Sequence, residues 1–348
     1  TYTSTRQDAS VQVETWTLNA SWEISDAHKL VFIYGDREME ETSKQEFDGF
    51  SFDAFRVSRP QFEEQESFEL RLESDFSWGR TTFGGFYWES EYDAWQNTFF
   101  FPGIDPTNGT NPLAGFSDSP RSRQETENYA IFGQVDWNIT DRMTLTLGGR
   151  YTDEEKSFCQ YFTVPNTDGN PQLIDFDGYA KDIAPDRAWG DCPGFVDPFL
   201  NNDYIDLETG QPTTFTGKED WSEFSPKAGI TYDIEQGLIY LSYTEGFRSG
   251  GFNGRATDRS NAGPYDPETV ESWELGFKTT WLDNTLQFNG AIFTTDYEDK
   301  QEDVVLPGTD GTVTLTVVQN AAGATMEGVE FEMSWIPVEG LTLTANLG

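Results

Sequence analysis

The stretch Tyr129-Ala130-Ile131-Phe132-Gly133-Gln134-Val135-Asp136-Trp137-Asn138, then Thr140-Asp141-Arg142, then Met143-Thr144-Leu145-Thr146-Leu147-Gly148-Gly149-Arg150-Tyr151, decides the fold. Side chains alternate faces along a strand. Tyr129, Ile131, Gly133, Val135 and Trp137 therefore share one face, opposite Ala130, Phe132, Gln134, Asp136 and Asn138. Met143, Leu145, Leu147, Gly149 and Tyr151 oppose Thr144, Thr146, Gly148 and Arg150 in the same way. The linker between the two runs leaves room only for a tight turn, so the spacing predicts a hairpin with one apolar and one polar face.

The same unit recurs. Trp16, Leu18, Ala20 and Trp22 alternate with Thr17, Asn19 and Ser21, and Ser25-Asp26-Ala27-His28 turns into Lys29 to Glu40. Phe68, Leu70 and Leu72 alternate with Glu69, Arg71 and Glu73, and Ser77-Trp78-Gly79-Arg80 turns into Thr81 to Ala94. Phe224 to Ile234 turns through Glu235-Gln236-Gly237 into Leu238 to Phe252, and Trp273 to Trp281 through Leu282-Asp283-Asn284 into Thr285 to about Asp303. Thr325 to Ile336 turns at Pro337 to Gly340 into Leu341 to Gly348. Six strand pairs with turns of three or four residues thus alternate with polar loops of about fifteen to sixty. Short turns on one side and long loops on the other are the pattern of an antiparallel transmembrane β-barrel.

A soluble sandwich also alternates, with its apolar face turned to a shared core. Three features favour the membrane barrel, whose apolar face meets lipid and whose polar face lines a lumen. Glu69, Arg71, Glu73, Arg150, Lys227 and Lys278 lie within strands, in phase with the polar face. The strands run about ten to fifteen residues, against a usual mode of roughly five or six and roughly nine to eleven needed to cross a bilayer. Aromatic pairs (Tyr129 and Trp137, Trp273 and Trp281, Trp16 and Trp22) mark strand ends, where hydrocarbon meets headgroups. The face assignment predicts that Leu145→Arg impairs insertion far more than Thr146→Arg. Hydrophobic residues make up 36% of the chain and mean hydropathy is −0.60, consistent with a barrel that shows lipid every second strand residue. No run of eighteen apolar residues exists, so no transmembrane helix is expected.

With 22 basic and 61 acidic residues the net charge is −39, which disfavours nucleic acid as a partner. The carboxylates solubilise long loops; divalent-cation binding among them is a second reading, although no calcium-loop spacing is present. His28 is the sole histidine, which removes a Ser-His-Asp triad and a multi-histidine metal site. There is no phosphate-loop motif of the Gly-x-x-x-x-Gly-Lys type. The residues point to no catalysis, resident metal or cofactor. Cys159 and Cys192, the two cysteines, both fall in the loop from Ser157 to Lys218, which suggests an intraloop disulfide formed in an oxidising compartment.

The chain opens on Thr-Tyr-Thr-Ser-Thr and stops at Leu347-Gly348 inside a strand pattern. Open strand edges in lipid cost several kcal/mol for each unpaired group, so the expectation is an internal piece of a longer protein. The loop from Trp95 to Gln124 carries Phe99-Phe100-Phe101-Pro102-Gly103. Trp95, Phe99, Phe100 and Phe101 are candidate ligand contacts, equally readable as rings packing the loop onto the barrel rim. The loop from Ser157 to Lys218 has the length of a lid or binding segment.

Ala130-Ile131-Phe132-Gly133-Gln134-Val135-Asp136-Trp137, followed by Leu145 to Glu154, resembles the barrel of a TonB-dependent outer-membrane receptor. So do Tyr243-Thr244-Glu245-Gly246-Phe247-Arg248-Ser249-Gly250-Gly251-Phe252-Asn253, Pro267 to Lys278, and Asn320-Ala321 through Glu327-Gly328-Val329-Glu330, in that order. The resemblance implies that residues 1–348 belong to one 22-stranded barrel of which about twelve strands are present, with short periplasmic turns and long extracellular loops. It implies an N-terminal plug and terminal strands absent from this chain, an outer membrane bearing lipopolysaccharide, and TonB with its inner-membrane motor as partner. The implied activity is energy-coupled uptake of a scarce nutrient such as a siderophore–iron complex. A passive porin-like channel and a secreted β-rich glycan-binding module or enzyme are the alternatives. Lumen-facing Arg150, Lys227, Arg248 and Lys278 would be wetted or paired with plug carboxylates. Arg248, Asn253 and Arg255 are further candidate ligand contacts, while Gly246, Gly250 and Gly251 read as strand bends or as room for another backbone.

Overall fold

The computed structural model describes residues 8–46, 55–95, 97–100, 116–118, 121–161, 214–254, 256, 259–307, 314–320 and 323–348. Its strands are β1 (Asp8–Ser25), β2 (His28–Glu46), β3 (Phe55–Phe76), β4 (Gly79–Trp95), β5 (Asn97–Phe100), β6 (Phe116–Asp118), β7 (Arg121–Thr140) and β8 (Met143–Tyr161). They continue as β9 (Thr214–Ile234), β10 (Gly237–Arg248), β11 (Glu268–Trp281), β12 (Leu286–Glu298), β13 (Gln301–Pro307), β14 (Thr314–Asn320), β15 (Ala324–Val338) and β16 (Leu341–Leu347). Twelve of them form one antiparallel path, β1-β2-β3-β4-β7-β8-β9-β10-β11-β12-β15-β16. The six expected hairpins are all present. Gly79 and Gly237 open β4 and β10 with φ of 149° and 148°, where a side chain would run into the carbonyls of Asp136 and Lys278 on the next strand.

Register carries the apolar face from strand to strand. Leu18 faces Tyr34, Tyr34 faces Phe68, Phe68 faces Tyr87, Tyr87 faces Tyr129, and Ile131 faces Tyr151. This face has no second layer over it among the described residues: Trp16 is 72% exposed and Ile131 68%. The polar face is the one on which other chain segments pack. The apolar face is therefore outward and the polar face lines the lumen.

The strands are longer than the alternation suggested. β3 has 22 residues, β9 21 and β7 20, well beyond a membrane crossing. Tyr129 and Trp16 consequently sit inside their strands, and the aromatics mark the edges of the apolar band instead of strand ends. Rings at the long-loop edge pack across strands: Tyr34 on Phe68 (5.0 Å), Phe68 on Tyr87 (6.2 Å), Tyr87 on Tyr129 (4.9 Å), and Tyr243 on Trp273 (4.7 Å). β8 continues to Tyr161 and β9 starts at Thr214, and β7 already starts at Arg121, so both long loops are shorter than the sequence implied. β10 ends at Arg248 and does not reach Phe252. β12 ends at Glu298, where Asp299 takes φ 51°, and does not run on to Asp303.

Immediately beyond the aromatic edge the outward face turns acidic. Asp36, Glu66, Glu89, Glu127, Glu155 and Asp220 are direct cross-strand neighbours in one row over six strands. Glu14, Glu38, Glu64, Glu91 and Glu125 form the next row. Like charges directly opposite destabilise a sheet. Edge tyrosines donate to the first row, Tyr34 to Glu66 (3.1 Å) and Tyr87 to Glu89, while Lys218 pairs with Glu155 (2.6 Å) and Arg123 with Glu91. Burial, then Glu38 and Glu91, raises the Glu64 carboxyl above its ordinary value. A group with a raised folded-state pKa favours folding more as pH falls through that value. Glu64→Gln is expected to slow amide exchange in the strand extensions, toward the low end of ~0.2–1 kcal/mol because the group is exposed. Added salt or acid is expected to do the same to the parent protein; faster exchange in the variant would remove the repulsion.

Candidate functional site

β10 pairs with β9 only as far as Thr244 opposite Lys227, while β9 continues along β8 to Thr214 opposite Tyr161. The chain after Arg248 turns inward beside this unpartnered edge. Gly250 permits the turn, since a Cβ there would lie 2.6 Å from the Trp221 ring and closer still to the Tyr265 carbonyl. A Cβ on Gly251 would meet the Tyr265 hydroxyl at 2.6 Å. Gly250 and Gly251 thus make room for another segment, whereas a Cβ on Gly246 would meet only Val270, at 3.4 Å.

The described residues between 249 and 267 form a strap against the lumen face. Gly251 and Tyr265 exchange both backbone hydrogen bonds (3.1 and 2.9 Å), and the Asn253 amide donates to Ala262 (2.7 Å). Irregular backbone that is buried must find donors for its carbonyls, and side-chain amides supply them. Gln160 Nε2 donates to the Gly254 and Ala256 carbonyls (3.1 and 2.9 Å), and Gln301 Nε2 to those of Ser249 and Asp266 (2.9 and 3.0 Å). Asn320 Nδ2 donates to Asp266 and Asp299 (both 2.8 Å). Asn253 binds both backbone groups of Val318, which ties the strap to the β13–β14 hairpin. Beneath it Phe252 stacks on Phe158 (5.1 Å, 7°), next to fully buried Ala256 and Ala262.

A polar latch holds the strap's root. Lys156 Nζ donates to Ser249 Oγ (2.7 Å) and the Gly250 carbonyl (2.7 Å), pairs with Glu154 (3.2 Å) and lies over the Trp221 ring (5.6 Å). Ser249 Oγ and Asn128 Nδ2 donate to Glu154. The Lys156 and Glu154 side chains are 14% and 13% exposed. Burial pushes the Lys156 ammonium below its ordinary pKa against the opposing pull of Glu154, and burial pushes the Tyr265 hydroxyl up.

Of the residues singled out from sequence, the fold brings Arg248 and Asn253 together at the strap. Arg248 ends β10 on the lumen face, exposed, with no ion pair among the described residues, while the Asn253 amide is engaged by Val318. Trp95 ends β4 opposite Arg121 on β7, and Phe99 and Phe100 lie in β5, which continues along β3 where β4 stops. Arg255, Phe101 and Cys192 lie outside the described residues. Cys159 is disulfide-bonded. Among the described residues no group of three or more His, Cys, Asp or Glu side chains is placed to hold a metal. Glu154 and Asn320 enter the sequence reading only as members of the family-like stretches, and Lys156, Gln160 and Gln301 not at all; for Lys156 and Gln160 the one available signal is that the polar phase of β8 continues past Tyr151.

The family described as TonB dependent receptor-like, beta-barrel matches residues 1–348. The ferric-pyoverdine BN7/BN8 receptor of Pseudomonas putida is 30% identical over 239 residues, which is 68% of this chain and 22% of that protein. The ferric-pyoverdine 358 receptor of the same species is 32% identical over 113 residues, 32% of this chain and 13% of that one. Among solved structures, the ferric yersiniabactin uptake receptor FyuA from Yersinia pestis shares the fold at TM-score 0.69 and 17% identity, covering 98% of this chain and 42% of that one. The siderophore receptor PiuA from Acinetobacter baumannii gives 0.62 and 15%, covering 98% and 47%. The chain thus spans less than half the length of these relatives. Matched from its first residue to its last, it belongs to the TonB-dependent receptor β-barrel family.

Proposed function

We propose that this chain is part of an outer-membrane receptor that takes up an iron–siderophore complex by TonB-coupled transport. The whole-chain family match carries this reading, and the named relatives are receptors for ferric chelates. The family is one of transport receptors, not of enzymes. In this reading the long-loop end faces the cell exterior, the short turns face the periplasm, and an N-terminal plug occupies the lumen. Arg248 meets the ligand at the strap, Asn253 positions the strap, and Arg255 with the Trp95–Phe101 segment extends the contact surface. A Cys159–Cys192 bridge staples the loop beyond β8.

The test is uptake of radio-iron chelates (hydroxamate, catecholate and phenolate) by cells carrying the full-length receptor, with and without TonB. At least one chelate is expected to accumulate only when receptor and TonB are both present. Equal accumulation without TonB would establish a passive channel, and accumulation of none would remove the siderophore reading. For the accepted chelate, Arg248→Ala is expected to weaken binding about ten- to a hundredfold, the loss of one charge-assisted hydrogen bond of ~1.5–3 kcal/mol. Undiminished affinity would take Arg248 out of the site.

A further inference from the structure

The edge of β9 that β10 abandons is long, and its backbone is ready to pair. The Asp233 amide donates to the Arg142 carbonyl (2.7 Å), so odd-numbered residues of β9 aim their backbone groups at β8 and even-numbered ones at β10. Pro226 is even-numbered and has no N–H to offer β10, and the β9–β10 ladder stops next to it, at Lys227 opposite Thr244. From Phe224 up to Thr216 the even-numbered residues carry outward side chains and set their N–H and C=O groups along the open edge, about 30 Å of strand at ~3.3 Å per residue. Among the described residues no other strand pairs with this edge, and the Phe224 amide alone has a partner, the adjoining Glu223 carboxylate (3.3 Å). The strap does not take up the edge. It lies against the lumen face of the same stretch, with Phe252 under Gly217 and Gly250 against the Trp221 ring, and its backbone-to-backbone bonds stay within itself.

Sheets ordinarily guard an open edge by keeping it short or by placing lysine on it. Here the edge is long, and its lysine, Lys218, is drawn onto Glu155 (2.6 Å). The outward charges around the gap are otherwise acidic: Asp220 on the edge, Asp153 and Glu155 beside it on β8, and Glu245 and Glu271 paired across the gap on β10 and β11. We propose that this edge is a strand-addition site for an extended, cationic segment of a partner protein outside the cell. The main chain of that segment continues the ladder of β9, and lysine or arginine at every second position lies among the outward carboxylates. The proposal goes beyond chelate uptake and takes from the proposed function only which end of the barrel faces the exterior.

The experiment uses the full-length receptor in lipid nanodiscs, with amide exchange read residue by residue. The probe is a capped peptide of alternating lysine and threonine, about nine residues long to match the edge. Without it, the amides of Thr216, Lys218, Asp220 and Ser222 are expected to exchange fast, and those of Gly217, Glu219 and Trp221, bonded to β8, slowly. With saturating peptide the even-numbered set is expected to slow at least ~tenfold while the odd-numbered set stays as it was. Asp220→Pro removes one edge N–H and none from the β8 ladder, and is expected to abolish the protection; heat-modifiable migration on gels reports that the barrel is folded. Two altered peptides leave the barrel untouched: methylation of the backbone amides that face β9, and glutamate in place of lysine, should each remove the effect. Equal protection by the methylated peptide would mean charge attraction without strand addition, and equal protection by the glutamate peptide would remove the cationic partner; either overturns the proposal, as does no protection by the lysine peptide. Even-numbered amides already slow in the parent would mean that the receptor's own chain occupies the edge, which overturns it too. Each of these failures leaves the uptake reading standing, since radio-iron accumulation is measured separately.

Discussion

Leu147→Arg is expected to stop the barrel from assembling in the membrane, whereas Thr146→Arg is tolerated. Leu147 lies on the outward face, 51% exposed, facing Val135 on β7 and Ala228 on β9, midway between Tyr151 and the turn after β7. An arginine there sits near the bilayer midplane at a cost of ~2–4 kcal/mol, a large part of the ~5–15 kcal/mol that holds a typical fold together. Leu145→Arg, two residues nearer the turn, is expected to do less harm because the long side chain reaches the headgroups. Thr146 points into the lumen and donates to Asp136 (2.7 Å), so an arginine would find a carboxylate and water there. The measurement is the folded fraction after insertion into lipid vesicles, read by heat-modifiable gel migration. Equal loss for the variants at 146 and 147 would remove the inside–outside assignment.

Lys156→Met is the second large effect. It leaves Glu154 mostly buried with hydroxyl and amide donors but no cation, and it strips the Gly250 carbonyl of its ammonium donor. Removing one partner of a buried pair typically costs ~3–5 kcal/mol. The strap is expected to bear that loss, because the membrane-embedded part of β8 has its own ladder on both sides. Hydrogen exchange should accelerate sharply from 249 to 267 and hardly at all from Met143 to Tyr151. The double variant Lys156→Met, Glu154→Gln should recover much of the protection, since it removes the stranded charge. A uniform change along β8, or no change in the strap, would deny the latch its role.

The hairpins and faces could be read from the chain because lipid imposes a hydropathy difference with period two, and Met143 to Tyr151 shows it without interruption. The strand extensions could not, because beyond the aromatic edge both faces are polar: Asp153 and Glu155 point out as Glu154 and Lys156 point in, and hydropathy no longer alternates. The acidic rows appear only once register is known, since Asp36 and Asp220 are neighbours of a row and not of a segment. The strap was the least legible part. Its hydrogen bonds join Gln160 to Gly254 and Asn253 to Val318, pairs separated by 94 and 65 residues. Of the candidate ligand residues, Arg248 lies exposed at the root of the strap, whereas the Asn253 side chain is committed to holding the Val318 backbone.

Several glycines lie directly under rings of the adjoining strand. A Cβ on Gly133 would meet Phe83 at 2.7 Å, one on Gly149 would meet Phe224 at 2.6 Å, and one on Gly276 would meet Tyr240 at 2.5 Å. Gly290 lies between Phe277 and Phe331, and Gly328 under Phe293. During assembly a strand that slips by one residue is rejected by the bilayer, because every side chain changes face. A slip by two residues keeps every face correct, and the bilayer is blind to it. The ring-on-glycine notches are not, because a two-residue slip drives the ring into a side chain. They act as a proofreading device for the class of error that hydropathy cannot detect.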